Sequence, residues 1–191
     1  GLNTFQRDRI RGALLEKAIL PVRGNYDYFW WATAYRCNWC SVCFSGLGCA
    51  AMAILTENPE FADVVAASAK GIRGYLDSFG VDGGWQEGRS YWAYGMRSSI
   101  FYMDALKQLT GGKIDLFKNE RVRSNPAAFA LFGLTGYFGD GSGAIVGSPH
   151  LLNKLIAETG DGVAAYYRNN FLGAGSDPFD IIWPQIGRAH V

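Results

Sequence analysis

From Cys37 to Thr56 the chain runs for 20 residues without a charged side chain. Two environments accept such a segment: a bilayer, or the inside of a packed protein. Asn38, Ser41, Ser45, Gly46 and Gly48 interrupt it, and its dense apolar part spans only Leu47 to Leu55. Crossing a hydrocarbon core takes about 20 predominantly apolar residues. The segment is therefore expected to be a buried core helix, and no membrane partner is expected.

The other segments read as helices too. Thr4 to Leu20 places Phe5, Ile10, Leu14, Leu15 and Ala18 near helical spacing, and Pro21 stops it. Asn58 is expected to cap the next helix, with Pro59 at its first position. Phe61, Val64, Val65, Ser68, Ile72, Tyr75 and Leu76 then form one stripe, and Gly80 ends it. A glycine-rich loop, Val81 to Ser90, leads into a helix from about Tyr91 to Leu109, closed by Gly111 and Gly112. A buried helix is expected over 125–137, then a loop from Gly139 to Ser148, then helices near 149–159 and 162–172. No stretch shows sustained period-two alternation or an Asn-Gly hairpin signal. The expected fold class is all-α, built from successive helical hairpins.

Charge narrows the partners. The 191 residues hold 18 Lys+Arg, 17 Asp+Glu and 2 His, a formal net charge of +1. A nucleic-acid binder held by a basic face needs clustered excess charge, so no nucleic-acid partner is expected. Hydrophobic residues are 49% and charged residues 18%, which suits a packed core rather than disorder. Glycine, 25 of 191, is nearly twice the usual share of about 7%, and aromatics are 15%. Glycine turns with many rings fit a cleft for a flat polar ligand such as a sugar, and equally a core rich in large side chains.

Both ends carry a reading. The chain begins Gly-Leu-Asn without Met or a leader, so the natural N-terminus is expected to be absent or processed. Residues 186–191, Ile-Gly-Arg-Ala-His-Val, match the translation of a common short-read sequencing adapter, with a stop after Val191 in that frame. They are expected not to be native, which leaves residues 1–185 as one partial domain and His150 as the remaining histidine. His150 opens a helix beside a glycine loop and reads as a surface or capping residue, with a catalytic role as the alternative.

Two stretches carry chemistry. Cys37, Cys40, Cys43 and Cys49 follow C-x2-C-x2-C-x5-C, which is near an iron–sulfur ligand run but has the wrong fourth spacing and lacks the proline. Small buried thiols on a helix are the plainer reading, with a metal or cluster and a disulfide as alternatives. The stronger stretch is Asp82-Gly83-Gly84-Trp85-Gln86-Glu87-Gly88-Arg89-Ser90-Tyr91-Trp92-Ala93-Tyr94-Gly95. Its glycines let backbone approach a ligand. Trp85 and Trp92 offer stacking faces, and Glu87, Arg89, Tyr91 and Tyr94 offer acid, cation and phenol groups. The alternative is a turn whose aromatics plug the top of a bundle.

Asn38-Trp39-Cys40-Ser41-Val42-Cys43, before a small-residue helix, resembles the Asn-Trp-Asn-x-Val-Cys segment of the heparinase II/III-like family. Asp82 to Gly95 looks like that family's D-G-G-W-x-E-G-P-G-Y-W-x-Y-G, and Tyr137-Phe138-Gly139-Asp140 is similar to its N-F-G-D. The likeness covers roughly residues 4 to 172. Cys40, Phe44, Ser45 and the Arg89-Ser90 pair depart from the pattern, the first three where amide or histidine side chains are usual.

The resemblance implies an incomplete (α/α) toroid, followed in full-length members by a β-sandwich domain. It implies a periplasmic or secreted bacterial polysaccharide lyase, cleaving uronic-acid glycans by β-elimination with no cofactor or metal. Such an enzyme neutralises the uronate carboxylate, removes the C5 proton with Tyr or His, and protonates the leaving oxygen. Carried onto this chain, Tyr94 or Tyr91 is the candidate phenol and Asn38 the candidate carboxylate neutraliser. Glu87, Arg89, Trp85, Trp92 and Asp140 are the candidate substrate-binding residues, and Arg89 or Arg97 the cation that makes a tyrosine basic. The alternative is a catalytically silent toroid that binds glycan or serves as a structural module.

Overall fold

A computed structural model of the chain describes residues 1–123, 127, 130–131, 139–140, 148–173 and 178–183. The expected helix over 125–137 and the 186–191 tail lie largely or wholly outside them, as do Tyr137 and Phe138. The described residues are helical, with no strand among them. The helices are α1 (Thr4–Leu14), α2 (Asn38–Ala53), α3 (Ala62–Asp77), α4 (Arg89–Leu109), α5 (Glu120–Arg123), α6 (Pro149–Thr159) and α7 (Gly162–Phe171). None among the described residues is long and apolar enough to cross a membrane.

The uncharged run becomes α2, and its position explains its composition. α2 packs against both α3 and α4, so it has little solvated face on which charge is stable. Small residues let the helices close on one another. Gly48 lies under the Tyr102 ring and Gly71 under the Phe44 ring, where added Cβ atoms would come within 2.2 and 2.1 Å. Several polar groups inside this seam are paired, as burial favours, while the Ser45 and Ser68 hydroxyls have no partner among the described residues. Ser41 Oγ donates to the Gly95 carbonyl at 2.6 Å and shares a 2.7 Å bond with Ser99 Oγ. Tyr102 Oη donates to the Val65 carbonyl at 2.6 Å.

The flanking helices start and stop for local reasons. Asn3 and Gln6 form a reciprocal capping box on α1, which then runs into a π turn, Leu15–Ile19, before Pro21. Left-handed Gly160 ends α6, and the Asp161 carboxylate starts α7 by accepting from the Val163 and Ala164 amides. α6 packs on α4 and on α7. One expectation fails locally: Pro59–Phe61 is a 3-10 turn and α3 proper starts at Ala62, with no side-chain cap from Asn58. α1 leaves Leu2, Phe5 and Ile10 exposed.

Candidate functional site

The N-terminus of α2 has a problem that α2 cannot solve itself. Its first amides lack intrahelical partners, and Cys37 at the cap position supplies no side-chain acceptor. A carboxylate 49 residues further on does so. Glu87 Oε2 accepts from the Asn38 backbone N–H at 2.6 Å and from Asn38 Nδ2 at 3.0 Å. Burial, then the neighbouring Glu87 carboxylate, push the Cys37 thiol up to about 11. The anion sits at the positive end of a 16-residue helix, where the backbone dipoles favour it. Asn38 and Glu87 are 4% and 8% exposed, so this is an interior cluster.

The loop that carries Glu87 is built to reach this point. Asp82 Oδ1 accepts from the Gly84 amide at 2.9 Å, and the Gly80 amide donates to the Gly84 carbonyl at 2.8 Å, folding residues 80–84 into a tight turn. Gln86 Nε2 ties the loop to the Arg36 carbonyl at 3.1 Å. Trp85 Nε1 donates to Ser78 Oγ at 3.1 Å. The Gly139–Asp140 turn packs against this loop. Gly139 has φ +61°, and a Cβ there would lie 2.1 Å from the Gln86 carbonyl oxygen. Only glycine meets both demands. The turn sets exposed Asp140 near enough for its charge to help raise the Cys37 thiol.

Asn38, Glu87 and Asp140 are thus brought together. Trp85 and Trp92, expected as open stacking faces, are core side chains at 4% and 1% exposure. Trp85 packs edge-on to Tyr75 and Phe79, with ring centroids 5.2 and 5.8 Å apart. Arg89, expected to hold substrate, is buried: its Nε donates to the Ala130 carbonyl at 2.7 Å and Nη2 to the Leu131 carbonyl at 3.3 Å. Its charge acts on Tyr167, partly offsetting the rise that burial causes there. Arg97 lies 5.9 Å over the Phe179 ring. Tyr91 and Tyr94 are exposed on the first turns of α4, and no hydrogen bond joins either side chain to Asn38 or Glu87 among the described residues.

Other features of the site escaped the sequence. Tyr75 is fully buried, its hydroxyl has no hydrogen-bond partner among the described residues, and burial followed by the Glu87 charge pushes its pKa well up. Its place on an apolar stripe marked it only as core. Trp30 and Trp39 are exposed beside the cluster, and no spacing rule set them apart from the buried tryptophans. His150 is corrected outright. Expected at the surface or as a cap, it is 1% exposed, with Phe101, Phe179 and Trp183 around it and Asp180 Oδ1 3.4 Å from its Nδ1.

The four cysteines are unpaired with one another. Cys40 donates to the Gly71 carbonyl, and burial above all pushes its thiol up to about 12. Among the described residues no group of three His, Cys, Asp or Glu side chains is arranged to hold a metal ion. No known family profile matches the chain, and no curated protein matches it.

Proposed function

We propose that this chain belongs to an incomplete (α/α) toroid of the heparinase II/III-like kind, and that it acts as a polysaccharide lyase on uronic-acid glycans. The observation that supports this most is the meeting of three separate motif segments: Asn38 at the head of α2, Glu87 before α4, and Asp140 beside them. The pairing of α2 with α3 and of α6 with α7 agrees with stacked helical hairpins, and the exposed apolar stripe of α1 is a face that a closed ring would cover.

In this reading the Asn38 amide, oriented by Glu87, directs its remaining N–H at the uronate carboxylate. Tyr91 or Tyr94, as tyrosinate, takes the C5 proton, the freed electron pair forms the C4–C5 double bond as the C4–O bond breaks, and the same phenol returns that proton to the leaving oxygen. A β-sandwich domain of the same protein and an exported location belong to the same proposal.

The test is the rise in ultraviolet absorbance from the unsaturated uronide, with alginate, hyaluronan and heparan sulfate each offered to the protein. Activity is expected on at least one, with Tyr94→Phe or Tyr91→Phe abolishing it and Asn38→Ala reducing it at least about 100-fold. The burial of Asn38, Trp85 and Trp92 favours a second reading, a catalytically silent glycan-binding toroid. Binding without absorbance change on every glycan selects that reading.

A further inference from the structure

Two of the six tryptophans are held outward. Trp30 is 62% and Trp39 is 53% exposed, with ring centroids 6.1 Å apart and planes inclined at 55°. Large exposed apolar groups placed side by side usually mark a contact surface. Both rings stand on fixed backbone. Trp30 opens the 3-10 turn Trp30–Ala32, whose next two residues point inward: Trp31 packs edge-on against Phe44 at 5.1 Å and Ala32 is buried. Trp39 follows Asn38 in α2 and precedes Cys40, both buried, so helix geometry turns Trp39 to the outside.

We propose that Trp30 and Trp39 form a stacking subsite for one pyranose ring of an acidic glycan, beside the head of α2. Three observations choose this occupant. The area is small: two rings half to two-thirds exposed offer on the order of 300 Å², against about 800 Å² per partner for a stable protein interface. The inclined rings form an open angle, which suits the apolar C–H face of a sugar better than a flat partner. The exposed Arg36, three residues before Trp39 on the segment that enters α2, is the cation nearest to it in sequence and is the group assigned here to meet a uronate carboxylate. Trp39 is also the direct neighbour of Asn38, which places the two rings at the head of α2, outside the buried cluster.

This inference rests on the glycan reading above, and the experiment separates the two. Binding of alginate, hyaluronan and heparan sulfate hexasaccharides, and of neutral cellohexaose, is measured by calorimetry for the protein and for Trp30→Ala, Trp39→Ala and Trp39→Phe. Absorbance of product is followed in parallel. The alanine variants are expected to weaken binding of an acidic glycan about tenfold each, an effect of about 1.4 kcal/mol. Trp39→Phe recovers most of it, and KM rises with kcat unchanged. Cleavage and binding that persist unchanged in both alanine variants overturn the subsite and leave the lyase reading standing. Tryptophan-dependent binding of an acidic glycan without cleavage upholds the subsite and removes the lyase. Equal, tryptophan-dependent binding of cellohexaose overturns the acidic specificity, and absence of binding to every glycan overturns both.

Discussion

At the scale of single residues, the decisive group is Glu87. Its carboxylate serves the Asn38 backbone and the Asn38 amide at once, in a place where water does not replace it. Glu87→Ala leaves those donors buried and unpaired, so it is expected to cost about 2–3 kcal/mol of stability, read from urea unfolding. Glu87→Gln, which keeps an acceptor without the charge, is expected to lose about half as much, and a surface-like loss below about 0.5 kcal/mol for the alanine variant would show that the carboxylate is not what closes the head of α2. Asn38, Glu87 and Asp140 each stand in a motif the sequence singled out, but Glu87, expected to bind substrate, is instead buried against the head of α2. The inward turn of Trp85, Trp92 and Arg89 was not legible either, because an aromatic or arginine beside glycines has the same composition whether it faces a ligand or the core. Tyr75 and His150 were read from the pattern around them, which reports a face of a helix and says nothing of what packs on it.

At the scale of elements, helix existence follows from apolar stripes, and the bounds of α6 agree with the sequence reading to the residue. The ends of α3 and α4 shifted by a few residues, since Pro59 makes a 3-10 turn first and α4 begins already at Arg89. What periodicity leaves open is how closely helices approach. Gly95 in α4 shows the difference. It is an ordinary helical glycine by sequence, where alanine normally gains up to about 1 kcal/mol. A Cβ there would stand 2.3 Å from Tyr75 Oη and 2.9 Å from Cζ, on a ring that is fully buried and unable to swing away. Gly95→Ala is therefore expected to destabilise by about 1–3 kcal/mol despite its better propensity, measured by thermal unfolding. An increase in Tm would show that α4 can move off Tyr75 at no cost.

At the scale of the whole molecule, α4 and α6 are tied by charge. Lys154 Nζ bonds Asp104 Oδ1 and Glu158 Oε1, each at 2.6 Å, and Lys107 donates to Glu158 and lies 3.5 Å from Asp115. Burial alone would raise the Glu158 carboxyl, but the bonds from Lys107 and Lys154 outweigh it and hold the pKa below 4.5. The Glu158 bond, against the opposing effect of burial and with help from the Glu158 and Asp115 charges, raises Lys107 above 10.5. A depressed carboxyl contributes stability above its unfolded value and loses it as pH falls through the folded one; the raised lysine contributes below its unfolded value and loses it as pH climbs. The stability gap between the protein and Glu158→Gln is therefore expected to be full near neutrality and to shrink as pH drops below about 4.5, followed by urea midpoints across pH. A gap that does not change with pH would show that Glu158 acts through packing instead. The sequence by itself determined that this chain is helical and that its uncharged segment is interior, because spacing and charge act locally and every solvated face must carry polar groups. Only the tertiary structure decided which helices meet, that Glu87 closes α2, and which tryptophans remain open, because those depend on side chains dozens of residues apart competing for one buried volume.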